Sequence, residues 1–114
     1  MSDKRASKVR ELAATMHDAT KVDYVGLWEV YAQATKQFPT ESKSGQKAIA
    51  VEIARQMLIS GSIVFGFESE ISGALSVVVW KDQDPDVVAE TISKSWSELA
   101  TDPNPGDICW FMRP

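Results

Sequence analysis

The chain has 114 residues, 44% of them hydrophobic and 25% charged, with a formal net charge of −4. That is one domain's worth of sequence with enough apolar content for its own core, and it excludes collagen-like, disordered and low-complexity classes. A single cysteine, Cys109, rules out an intrachain disulfide and a four-cysteine metal site.

Charge is unevenly spread. Residues 1–60 hold nine basic and seven acidic side chains, for +2, whereas residues 61–114 hold three basic and nine acidic, for −6. An acidic half repels nucleic acid and attracts basic partners, although a solubility face gives the same count. No apolar run approaches the roughly 18 residues of a membrane span, and Met1-Ser-Asp-Lys-Arg leads into no apolar signal core. The expected location is the cytoplasm, with no membrane partner.

In chain order, Val9, Leu12, Ala13 and Met16 keep helical spacing within a helix Ser2–His17, whose first turn carries Lys4 and Arg5 against the helix dipole. His17 falls on a polar part of it and is expected to be exposed or capping. A second helix is expected from an N-cap at Asp23 to Phe38, with Tyr24, Leu27, Trp28, Tyr31, Ala34 and Phe38 as a thick core stripe. Pro39 ends it. The third helix, Gln46–Ser60, buries Ile49, Ile53 and Met57 with Ala50, Ala54 and Leu58, and Gly61 follows as its C-terminal stop.

The period then changes from 3.6 to 2. Ile63, Phe65 and Phe67 form one arm of a hairpin, and Leu75, Val77 and Val79 the other, across the turn Glu68–Gly73. Asp84-Pro85 is a strong helix start for Pro85–Ala100, with Val88, Ile92, Trp96 and Leu99 inward. The rigid turn 101–106 leads to a terminal strand Asp107–Met112. The order α-α-α-β-β-α-β predicts an α+β fold, helices on one face of a small, mostly antiparallel three-stranded sheet, with room for one parallel pair in the strand–helix–strand tail.

No catalytic motif emerges. His17 and Cys109 are each alone, so neither a metal site nor an activated thiol is assembled in the sequence. The acids Glu68 and Glu70, or Asp82, Asp84 and Asp86, sit in a turn and a helix cap, where carboxylates serve structural ends as well as acid/base ones. No glycine pattern cradles phosphate. The expectation is a protein without cofactor or metal, and not an enzyme.

Leu58-Ile-Ser-Gly-Ser-Ile-Val-Phe-Gly66, then Val79-Trp80 before an acidic turn, the helix ending in Trp96, and Asp107-Ile-Cys-Trp-Phe111 together resemble a family of small bacterial proteins. Some of its members are immunity proteins encoded beside toxins of contact-dependent growth-inhibition systems. The resemblance covers about half the chain. It implies a protein that binds and neutralises a cognate toxin, commonly a nuclease that is basic where it grips phosphate. The toxin-binding surface expected on that basis is Glu68, Glu70, Asp82, Asp84, Asp86, Glu90, Asp102 and Asp107, with Trp80 as an aromatic anchor if its ring faces outward. The alternative is a winged-helix-like DNA-binding regulator, for which the third helix offers only Lys47 and Arg55 and the hairpin turn no basic residue at all. The aromatic excess is equally that of a homodimer face.

Overall fold

The computed structural model describes residues 3–69, 71–98 and 108–114, and of those the side chains of all but 3, 68 and 69. Four helices, α1 (Asp3–Ala19), α2 (Leu27–Gln37), α3 (Lys43–Ile59) and α4 (Pro85–Ser97), combine with β1 (Val25–Gly26), β2 (Ile63–Ser69), β3 (Leu75–Val79) and β4 (Trp110–Met112). The class is α+β. The sheet has four strands in the order β1-β4-β2-β3, and every pairing is antiparallel. The expected three-stranded sheet is thus one strand short, and the parallel pair does not form.

The missing strand is Val25–Gly26, which the sequence places inside the second helix. Asp23 does not cap that helix: its Oδ1 accepts from the adjacent Tyr24 N–H, and the N-cap is Gly26, in extended conformation. The Leu27 N–H donates to the Cys109 carbonyl (3.1 Å), so the sheet claims this segment before the helix begins. Space at Gly26 is also tight. A Cβ there would lie 2.6 Å from Trp28 Cδ1.

Other boundaries move for local reasons. α3 begins three residues early because the Ser42 hydroxyl accepts from the Gly45 N–H (3.0 Å) and caps it. β4 begins at Trp110, not Asp107, because Ile108 has φ +66°, a left-handed conformation no strand can contain. The part of the expected strand before Ile108, and Leu99 and Ala100 of the expected fourth helix, lie outside the described residues.

α3 is the hub. It packs against α1, α2 and α4, and Ile49, Ala50, Ile53, Ala54, Met57 and Leu58 are all buried. Ala50 and Ala54 let the neighbouring helices approach closely. Val25, Val64, Cys109 and Phe111 join the same cluster from the sheet, while Val88, Ile92 and Trp96 join it from α4. The helices therefore cover one sheet face. Alternation puts Phe65, Phe67 and Trp110 on the opposite face, where Tyr24 stands edge-on to Phe65 at 4.8 Å and Phe67 lies 5.8 Å from Trp110. The expected six-residue core stripe is accordingly divided: Leu27, Tyr31 and Ala34 enter the helical core, but Tyr24 is exposed on this second, aromatic layer.

His17, expected to be exposed or capping, is buried. Its Nδ1 is 2.6 Å from Ser62 Oγ, joining the end of α1 to the start of β2. Arg113 closes the same corner by donating to the His17 carbonyl (3.2 Å) and to Thr20 Oγ1 (3.0 Å). Burial, and then the Arg113 charge, hold the His17 pKa below its ordinary value, with Lys21 acting in the same sense and Asp18 against it. In the unfolded chain His17 protonates near pH 6.5, whereas the folded chain resists to a lower pH. Between those points the unfolded state binds more protons, so stability falls as pH drops through this window and levels off beneath it. Chemical denaturation between pH 7.5 and 5 should show a steeper loss for the wild type than for His17→Gln, and superimposable profiles would exclude His17 as the cause.

Candidate functional site

The acidic segment expected to carry binding lies between β3 and α4, and local hydrogen bonds fix its shape. The Asp84 N–H donates to Asp82 Oδ1 (2.9 Å). Asp84 Oδ1 in turn accepts from the Asp86 and Val87 N–H groups (3.0 and 3.1 Å), and with Pro85 at the first helical position this is the N-cap expected from Asp84-Pro85. Asp86 meets Arg55 of α3, whose Nε donates to Asp86 Oδ1 at 2.7 Å while its Nη1 reaches Glu52 at 3.1 Å. Glu90, one turn on, is exposed and holds no ion pair among the described residues. Asp82, Asp84, Asp86 and Glu90 are therefore brought together at one end of α4, all exposed.

A residue that sequence reasoning passed over holds this segment in place. Gln83 Nε2 donates to the Val64 carbonyl (2.8 Å) and to the Trp80 carbonyl (2.8 Å), and Gln83 Oε1 accepts from the Val64 N–H (2.9 Å). The amide side chain thus does for Val64 what another strand residue would do. Val64 is fully buried, so its backbone groups need partners. Only the polarity of Gln83 in a run of aspartates hinted at it, because its partner is 19 residues away.

Trp80 is half-buried and packs against the helical core, on the same sheet face as Val64 and Gly66. Its backbone N–H donates to the Val64 carbonyl (3.2 Å). Only part of its ring is left for an outside partner. Glu68 belongs to β2 by its backbone, opposite Ser76, with its side chain outside the description. Glu70, Asp102 and Asp107 lie outside the described residues.

The basic side chains that a DNA-binding role would draw on are engaged within the chain. Arg55 is held by Asp86 and Glu52, and Lys47 Nζ sits 5.8 Å from the Trp96 ring centre. α3 packs against three helices, and its buried residues Ile49, Ala50, Ile53, Ala54, Met57 and Leu58 are not available to a groove. An open groove of about 310 Å³ between α1 and α3 is lined by Arg5, Arg10 and Glu52 among others, but Arg5 pairs with Glu41 (3.0 Å) and Arg10 with Ser7 (3.2 Å). Among the described residues no three His, Cys, Asp or Glu side chains are placed to share a metal ion, and no helix is long and apolar enough to cross a membrane. Cys109 is buried, and desolvation pushes its thiol pKa up, so it stays a neutral thiol at physiological pH.

Comparison with known protein families, with characterised proteins and with solved structures returns no match.

If Gln83 anchors the acidic segment, Gln83→Ala should destabilise the fold by about 1–3 kcal/mol, the cost of leaving buried polar groups unpaired. Urea denaturation of the two proteins measures this, and an unchanged midpoint would show that water replaces the side chain at no cost.

Proposed function

We propose that the protein is an immunity-type inhibitor that binds and neutralises a cognate toxin, a basic nuclease domain, and that it acts by binding and not by catalysis. The observation that carries this reading is the preformed acidic surface at the start of α4. Asp82, Asp84, Asp86 and Glu90 are exposed together on a segment whose backbone is held by an N-cap, an aspartate turn and the Gln83 bridge. A surface ordered before binding loses little conformational entropy on association. Its charge accelerates encounter with a basic partner and disfavours acidic ones, including nucleic acid.

Within the surface the four carboxylates differ in what they are free to do. Asp84 is committed to the helix terminus and Asp86 shares its charge with Arg55, whereas among the described residues Glu90 has no such engagement and Asp82 accepts only a local backbone bond. Asp82 and Glu90 are therefore the proposed leading contacts, with Asp84 and Asp86 adding to the field and the exposed part of Trp80 at the margin. Glu68, Glu70, Asp102 and Asp107 remain proposed contacts on the sequence alone, as part of the −6 charge of residues 61–114. The lysines and arginines of the toxin that face nucleic-acid phosphate are the groups such a surface matches.

Co-expression with the product of the neighbouring gene should yield a stoichiometric complex with a basic, growth-inhibiting partner. The double variant Asp82→Lys/Glu90→Lys leaves the N-cap and the Arg55 pair in place, and should weaken that complex by about tenfold or more, chiefly through slower association and most strongly at low salt. Undiminished affinity would remove this surface from the interface, and the absence of any basic partner would remove the function.

A further inference from the structure

β3 is the last strand of the sheet: β2 lies on one side of it, and among the described residues no strand lies on the other. The bond from the Trp80 N–H to the Val64 carbonyl sets the phase of the β2–β3 ladder. By alternation Val78, opposite Gly66, and Ser76, opposite Glu68, turn their backbone groups toward β2. Leu75, Val77 and Val79 turn theirs to the open edge.

Sheets that remain solitary block such an edge with charge, proline or a bulge. This one has none of these. The ten residues from Ile71 to Trp80 include no charged side chain and no proline, and the register from Ser69↔Leu75 to Phe65↔Val79 is uninterrupted. The side chains along it are apolar and unburied: Leu75 is 67% exposed, Val77 42% and Val79 47%. Phe67 of β2, and Tyr24 beside its ring, extend the same apolar surface.

We propose that this edge joins two copies of the chain, β3 pairing antiparallel with β3 of a second copy about a two-fold axis at Val77. The outward-facing set is symmetric about that residue, so Leu75 meets Val79 of the other copy and Val77 meets its own equivalent. All three become hydrogen-bonded pairs. The phase is complementary to itself as it stands. So is the charge, since no ionised side chain meets its like within the paired stretch, and Lys81 falls opposite Gly73. An uncharged valine-rich strand has no feature with which to select a charged partner strand, whereas a second copy satisfies its backbone groups and its apolar side chains together. The product is an eight-stranded sheet with the two aromatic faces continuous on one side. This pairing uses residues before Asp82 and does not depend on the toxin-binding reading.

Light scattering coupled to size exclusion on the full chain, over a dilution series, should give twice the 12.6 kDa chain mass. Val77→Lys, at the axis, and Leu75→Lys, at the most exposed position, should each give the single-chain mass with an unchanged far-ultraviolet circular dichroism spectrum. Amide hydrogen exchange supplies a readout on the unaltered protein: the Val77 and Val79 amides, which have no acceptor within β2, should be protected at concentrations where the dimer forms. A wild type that stays at the single-chain mass throughout would overturn the proposal. So would a dimer in which the Val77 and Val79 amides exchange rapidly, because its contact must then lie elsewhere.

Discussion

The reversal of the chain at Gly61 is the constraint on which the rest of the structure depends. Gly61 has φ +110°, the Ser62 N–H donates to the Met57 carbonyl and the Gly61 N–H to the Leu58 carbonyl, both at 3.0 Å. These are the two bonds of a Schellman motif, which ends α3 and sends the chain back along it. A side chain at Gly61 would be strained in this conformation. Ser62, the next residue, is fixed a second time by His17. The strand that follows therefore begins with its phase already set: Val64 must face the helices and Phe65 the other side. A slip by one residue would exchange the two sets along the whole of β2.

That phase produces a sheet with two unlike faces. One is covered by helices and lies within the main core. On the other, Phe65 is buried although it stands outside that core, because Tyr24, Phe67 and the strand β4 close around it. The two-residue β1 is what makes this second layer possible. It carries Tyr24 to the edge of the sheet, and Gly26, by lacking a Cβ, lets Trp28 and Trp110 come together over it. Charge is partitioned in a comparable way. Arg5, Arg55 and Arg113 are paired with Glu41, Asp86 and Asp18. After β3, Asp82, Asp84 and Glu90 are exposed and hold no ion pair among the described residues.

What could be read in the sequence was what short-range physics decides. The α3 stripe, the Gly61 stop and the Asp84-Pro85 start each depend on residues within about one helical turn, and all three are where periodicity and capping put them. What was not legible depends on partners far away. A two-residue strand has no period, so Val25–Gly26 was absorbed into the helical spacing of Leu27 and Tyr31. His17 became a core residue through Ser62, 45 positions later, and Gln83 became a strand surrogate through Val64. The left-handed Ile108 has no local signal either, because a β-branched residue is a poor choice for that conformation. For the candidate site, the carboxylates could be found by counting, but their separate employments could not. Asp86 sits in the first turn of α4, where an acid suits the helix dipole, and it also pairs with an arginine on another helix.

The acidic segment and the open edge of β3 are adjacent in the chain, but they use different residues. Gln83 fastens the acidic segment to Val64 in β2 as well as to the Trp80 backbone just past the end of β3, so an interior strand shares in fixing its position. Pairing at β3 would leave that attachment unchanged, and a load on Asp82 or Glu90 would pass into β2 and α4. Two functions can share this end of the molecule without competing, provided each uses its own anchor. In a two-fold assembly each acidic surface would appear twice on one rigid sheet. A partner presenting a single basic site would gain nothing from the repetition, since avidity requires simultaneous engagement. The edge would then serve chiefly to cover Leu75, Val77 and Val79, whose exposure in a lone chain invites less specific pairing.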